Sequence, residues 1–126
     1  MNVAFHGPLF GADKAAFIAA ARYIGLPSHS EGLPMAMLEA WATGTPTIMS
    51  RHCHLPEGVA AGAAIECGTD PQAIAAALRG AFSKTEDDWC QMSDAAQQLA
   101  QDRFAPHAAG EAWRRFYTRL LSTHTA

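Results

Sequence analysis

No stretch of this chain approaches the ~20 consecutive apolar residues that a bilayer-crossing helix requires, and its first residues lack a charged region followed by an apolar run. A membrane span and a secretory leader are therefore not expected. A cytoplasmic chain is, with peripheral association at a membrane left open. Cysteine is scarce: Cys53, Cys67 and Cys90 are odd in number and have no close paired spacing. That argues against a disulfide framework or a zinc ribbon and fits a reducing compartment. Positive charge is thin as well. Nine Lys and Arg against twelve Asp and Glu leave a formal net charge of −3, so there is no broad basic field to grip a phosphate backbone, and nucleic acid is not expected as a partner. Repeats, low-complexity runs and clear linkers are absent too. At 126 residues the reading is one domain, 1–126, able to bury roughly two-thirds of the surface its unfolded chain would expose.

What is present is an alternation of strand and helix signals. Val3-Ala4-Phe5 reads as a short strand ending in the His6-Gly7-Pro8 turn, and Ala12 to Ala21 has helical spacing at Phe17, Ile18 and Ala21. Arg22 to Leu26 reads as a second strand closed by Pro27, Pro34 as the first position of a helix that Gly44 ends, and Thr47 to Ser50 as a third strand. A short helical turn at Pro56 to Ala61 precedes a weaker strand at Ala63 to Cys67. Asp70-Pro71 caps a helix whose Ile74, Leu78 and Phe82 share a face, and Thr85 with Asp88 forms a capping box before a stripe of Trp89, Met92, Ala96 and Leu99. A final helix from about Pro106 carries Trp113, Phe116, Leu120 and Leu121. Strands separated by helices of this length predict parallel pairing, hence an α/β domain of three layers, α/β/α, with a short sheet and the C-terminal helices appended to it.

The most informative segment runs from Ser28 to Pro46. It places Glu31 and Glu39 around the start of a helix that is otherwise almost wholly apolar. An ionised side chain on such a helix is unfavourable without a partner, so Glu39 demands one. In open parallel sheets ligands collect beyond the carboxyl ends of strands, and Glu31 falls just past such an end. With a helix starting at Pro34, the amides of Met35 and Ala36, with or without that of Met37, point outward at the positive end of the helix dipole, a site suited to phosphate. Glu39 then stands about one and a half turns further in, roughly 7 to 8 Å along the axis. There it could accept hydrogen bonds from two vicinal hydroxyls such as those of a ribose. The plainer alternative for both acids is a capping carboxylate and a half-exposed helix residue. Met35, Met37, Leu38 and Trp41 read as core.

Pro27-Ser28, Glu31-Gly32-Leu33-Pro34, Leu38-Glu39-Ala40, Ala42, Gly44, Pro46 and Ser50 together resemble the retaining glycosyltransferases of family 4, with the GT-B fold. Their signature separates two glutamates by seven residues, as Glu31 and Glu39 are separated here. The resemblance extends to the Phe5-His6-Gly7-Pro8 turn, to Pro56-Glu57-Gly58-Val59 and to the helix from Asp70 to Ala81. It implies a partial Rossmann-like domain, the later half of the C-terminal nucleotide-sugar-binding domain, with the acceptor domain and the first part of the donor domain missing. It also implies that Glu39 binds the ribose of a nucleoside-diphosphate sugar, while Glu31, Gly32, Leu33, Met35 and Ala36 hold the transferred sugar and the diphosphate. His6 and Gly7, in the turn the resemblance covers, are expected among the donor-binding residues. No metal or other cofactor is implied. The implied reaction moves a hexose, with retention, to a glycan or lipid acceptor, as in polysaccharide biosynthesis, through a covalent intermediate or front-face attack. Glu31 would then position the sugar or stabilise positive charge on it. Pro34 stands where many members have glycine, and Trp41 replaces a common methionine.

Three side readings complete the expectations. His52-Cys53-His54 is either a solvated loop or, less simply, part of a metal site for which no second cluster exists in the sequence. His6 is either substrate-facing or a turn histidine. Arg114, Arg115 and Arg119 form the wet face of the last helix, or meet an acidic membrane surface. As a fragment the chain is expected to be catalytically inactive alone. The alternative from another class is a non-catalytic nucleotide-sugar-binding or assembly module that self-associates through an exposed sheet edge.

Overall fold

Thr47–Ser50 is buried at every position, and the rest of the molecule is arranged around this central strand. The structure is a computed structural model and describes residues 3–123. Strands β1 (Ile24–Leu26), β2 (Thr47–Ser50) and β3 (Ala64–Cys67) form a three-stranded parallel sheet in the order β1-β2-β3. Its register sets Gly25 beside Ile48 and Ile48 beside Ile65. Among the described residues six α-helices accompany it: α1 (Gly11–Ala20), α2 (Met35–Ala42), α3 (Pro56–Ala60), α4 (Pro71–Phe82), α5 (Glu86–Leu99) and α6 (Pro106–Thr123).

Successive strand side chains point to opposite faces, and β2 uses both. Met49 joins a cluster with Met37 and Trp41 of α2, Leu55 at the start of α3, and Ala96 and Leu99 of α5. Ile48 packs the other way, against Cys67 and Ala81, with Tyr23, Ile65 and Ala77 around them. Helices therefore cover both faces, and the expected three-layer α/β/α arrangement is what forms. On the α4 side the Tyr23 hydroxyl donates to the Ala81 carbonyl at 3.0 Å, and burial pushes the phenol above its ordinary pKa.

Local chemistry explains where elements begin and end. Gly44, at φ +77°, turns the chain out of α2 as a left-handed residue. Its carbonyl accepts from the Ser93 hydroxyl at 2.6 Å, which ties α5 to that turn. Asp70 accepts from the Ala73 amide at 2.9 Å at the head of α4. Thr85 and Asp88 exchange bonds as a complete capping box at the head of α5.

The structure departs from the sequence reading in three places, and for two helices it shows which apolar residues are buried and which are exposed. Residues 3–10 have no regular structure, and Phe5 is 96% exposed; a strand exists only by pairing, and β1 has β2 as its sole neighbour among the described residues. The second expected strand begins at Ile24, not Arg22, because the Arg22 carbonyl accepts from the Trp89 indole at 2.8 Å. Pro34 is the cap that precedes α2, with extended angles of φ −75° and ψ 93°, so the helix opens one residue later. On α4 it is Ala77 and Ala81 that meet the sheet, while Leu78 and Phe82 are exposed. Trp113, Phe116, Leu120 and Leu121 of α6 are exposed as well. A π-helical turn, Ala100–Phe104, and an extended Ala105 redirect the chain there, and α6 packs mainly on that turn.

Candidate functional site

The loop between β1 and α2 carries Glu31, and it and the last residue of β1 are tied at three points to the end of β2 and the turn after it. The Ser50 hydroxyl donates to the Ser28 carbonyl, the Glu31 amide donates to the His52 carbonyl at 3.1 Å, and the Cys53 thiol approaches the Leu26 carbonyl at 3.5 Å. Glu31 is thus held at the carboxyl rim of the sheet. Beside it, Ser50, Arg51, His52, Glu66, Cys67, Gly68 and Thr69 line a polar cleft of about 390 Å³ at the ends of β2 and β3. This is the position where open parallel sheets hold ligands.

At the start of α2 the amides of Met35 and Ala36 have no hydrogen-bond acceptor among the described residues. The Met37 amide is not free: it donates to the Pro34 carbonyl at 2.9 Å. The opening of the helix therefore presents two free amides, a direct result of Pro34 serving as the cap. Met35, expected in the core, is 56% exposed. Met37 and Trp41 are buried as expected.

Glu39 finds the partner that its place on an apolar helix demands. Lys14 Nζ on α1 lies 2.9 Å from Oε1 and 2.8 Å from Oε2, so one ammonium spans both oxygens. The carboxylate is 35% exposed, between α1 and an apolar cleft of about 330 Å³ walled by Met35, Leu38 and Ala42 on one side and Ala100 and Phe104 on the other. It sits four residues into α2, about 6 Å along the axis from Met35. Lys14 was not picked out by sequence reasoning. Its signal was the spacing to Ile18, one turn on and the buried residue of α1, which puts both on the face that meets α2.

The remaining expected site residues are spread along the approach to this region. Gly32 and Leu33 are exposed in the pinned loop. His6 and Gly7 lie in the extended N-terminal segment, not at a strand end; the His6 ring contacts Phe17 edge-on at 5.5 Å, and Gly7 adopts φ +68°. His52 and Cys53 lie in a 3-10 turn, Arg51–Cys53, in which Cys53 is buried, and His54 after it takes a left-handed conformation at φ 54°. Among the described residues no group of three or more His, Cys, Asp or Glu could hold a metal ion. No described helix is long and apolar enough to cross a membrane.

The family model described as "Glycosyl transferases group 1" matches residues 1–84, which include the pinned loop, both glutamates and Lys14. The chain belongs to the group 1 glycosyl transferases. Relatives extend the likeness past the family match. A D-inositol 3-phosphate glycosyltransferase of Streptomyces griseus is 35% identical over 124 residues, covering 97% of this chain and 26% of that protein. One from Corynebacterium urealyticum is 35% identical over 108 residues, 83% of this chain and 23% of its own length. A putative colanic acid biosynthesis glycosyltransferase, WcaL, of Salmonella typhimurium is 35% identical over 82 residues, 62% of this chain and 20% of the relative. The chain thus spans about a quarter of the length of the curated relatives it matches. The parallel sheet with helices on both faces is consistent with a partial Rossmann-like domain of the GT-B type.

Proposed function

We propose that this chain is the donor-binding portion of a glycosyltransferase, taking a nucleoside-diphosphate sugar across the carboxyl rim of the sheet. The observation that carries the reading is the pairing, on one short helix, of two unsatisfied amides at Met35 and Ala36 with a carboxylate at Glu39 about 6 Å further along the axis. The amides and the helix dipole suit a diphosphate, and the carboxylate suits the diol of the attached ribose. Glu31, fixed at the rim by the hydrogen bond its backbone N–H donates to the His52 carbonyl, faces the sugar and steadies positive charge as the bond to the diphosphate breaks. Gly32 and Leu33 line the path between the two acids, and His6 and Gly7 flank the ribose.

Transfer proceeds with retention, without a metal, to a glycan or lipid acceptor carried by other parts of the enzyme, and these 126 residues alone bind donor without turning it over. The exposed Trp113, Phe116 and Tyr117 of α6, together with the open edge of β1, favour self-association of the isolated chain. Light scattering across a concentration series is expected to show mass rising with concentration, and a constant monomer mass contradicts that part. For the site itself the test is to titrate UDP, GDP and ADP separately while following amide signals. Shifts concentrated between Gly32 and Glu39 support the reading, and shifts confined elsewhere, or none, overturn it.

A further inference from the structure

The geometry points to Lys14 as a positioning residue of the donor site, one that fixes the Glu39 carboxylate and cancels its charge so that an acid can serve next to a diphosphate. This rests on the donor-site reading above. The difficulty it resolves is electrostatic. A bare carboxylate about 6 Å along the axis from the opening of α2 would repel the very anion that the amides of Met35 and Ala36 are set to attract. The Lys14 ammonium, bonded to both oxygens at 2.9 and 2.8 Å, makes the acid a neutral pair. An ionised carboxylate offers about four lone-pair sites. Lys14 uses one on each oxygen and leaves one on each, the number that two vicinal hydroxyls require.

The placement of Lys14 is built into the fold. It shares the inner face of α1 with buried Ile18, whose carbonyl accepts from the buried Thr45 hydroxyl at 3.0 Å, so α1 is anchored to the end of α2 one turn from the pair. Among the described residues no other cation lies within ion-pair distance of Glu39, and the chain has only one other lysine, Lys84. The pair is also more than a third exposed on the lysine side, at 42%. A pair so placed adds little to folding stability, which leaves the site as the place where its geometry matters.

The experiment compares the 126-residue wild type with Lys14→Met and Lys14→Arg, using UDP, GDP and ADP, their parent nucleosides and their 2′,3′-dideoxy forms as probes, with amide spectra as the check on folding. For whichever diphosphate binds wild type most tightly, Lys14→Met is expected to lose about tenfold in affinity, the scale of one charge-assisted hydrogen bond. Its preference for ribose over dideoxyribose should shrink, and the loss should be smaller for the nucleoside, which brings no negative charge. Lys14→Arg is expected to retain most of the affinity. If Lys14→Met binds the diphosphate as well as wild type with the same ribose preference, the role of Lys14 is overturned while the donor reading stands. If none of the three diphosphates binds wild type, the donor reading fails and takes this inference with it.

Discussion

Gly58 of α3 lies directly beneath the indole of Trp41 on α2, so close that a methyl group in place of its hydrogen would overlap the ring. The two residues fit each other. Trp41 is fully buried, donates from its indole nitrogen to the Thr47 hydroxyl at 3.0 Å, and stacks at a tilt on Phe104 with ring centroids 5.8 Å apart. That ring holds α2, β2 and the π-helical turn together, and it leaves no room for a side chain on α3.

Gly58→Ala is therefore expected to destabilise the protein by about 1–3 kcal/mol, the usual cost of overpacking. Trp41→Leu destabilises it by opening a cavity. Together they should cost less than the sum, since the smaller side chain makes room for the methyl. Urea denaturation of the four proteins checks this; strict additivity would show that the two residues do not share the space.

Met35→Pro separates backbone from side-chain function at the start of α2. Position 35 is the first helical residue, where proline is favoured, and Pro34 before it already lies outside the α region that a following proline disfavours. Met35 is largely exposed, so little packing is lost. The variant is expected to fold with unchanged helicity and to lose about tenfold in affinity for a nucleoside diphosphate, because one of two free donors is gone. Calorimetric titration alongside circular dichroism distinguishes that from a general loss of structure.

Asp88 provides a pH signature. The Thr85 hydroxyl first, and the Thr85 amide second, donate to its carboxylate and hold it below the usual aspartate range. With the folded-state pKa below the unfolded one, the carboxylate stabilises the head of α5 above the unfolded-state value, and the contribution is lost as pH falls through the folded-state value. Carboxyl carbon NMR should show Asp88 titrating at a higher pH in Thr85→Val than in wild type. Stability of the variant should also depend less on pH over the acid range.

What could be read from the sequence was set by local chemistry. Thr47–Ser50 is legible as a strand because Gly44 and Pro46 mark its start, and all four residues are buried. Asp70-Pro71 and the Thr85–Asp88 box fixed their helices through bonds spanning three residues. What failed depended on distant partners. Val3 to Phe5 has the composition of a strand but no neighbouring strand to pair with among the described residues. The apolar stripe of α6 has helical period but not the burial that such a period usually signals. For the site, the need of Glu39 for a counter-charge was legible on α2 alone, but its source was not, because Lys14 lies 25 residues away on another helix. One residue also changed the count of free amides. Pro34 was read as the first helical position and proved to be the cap, which commits the Met37 amide to it.

In the proposed site Glu39 receives a ribose diol while the opening of α2 receives the diphosphate. Affinity of wild type and Glu39→Gln for a ribonucleoside diphosphate and its 2′,3′-dideoxy counterpart tests it most directly. Wild type should prefer the ribose form by about tenfold, on the scale of hydrogen bonds to a charged acceptor, and Glu39→Gln should lose most of that preference while its melting temperature stays near that of wild type. Equal affinity of wild type for both nucleotides, or an undiminished ribose preference in Glu39→Gln, would contradict the claim.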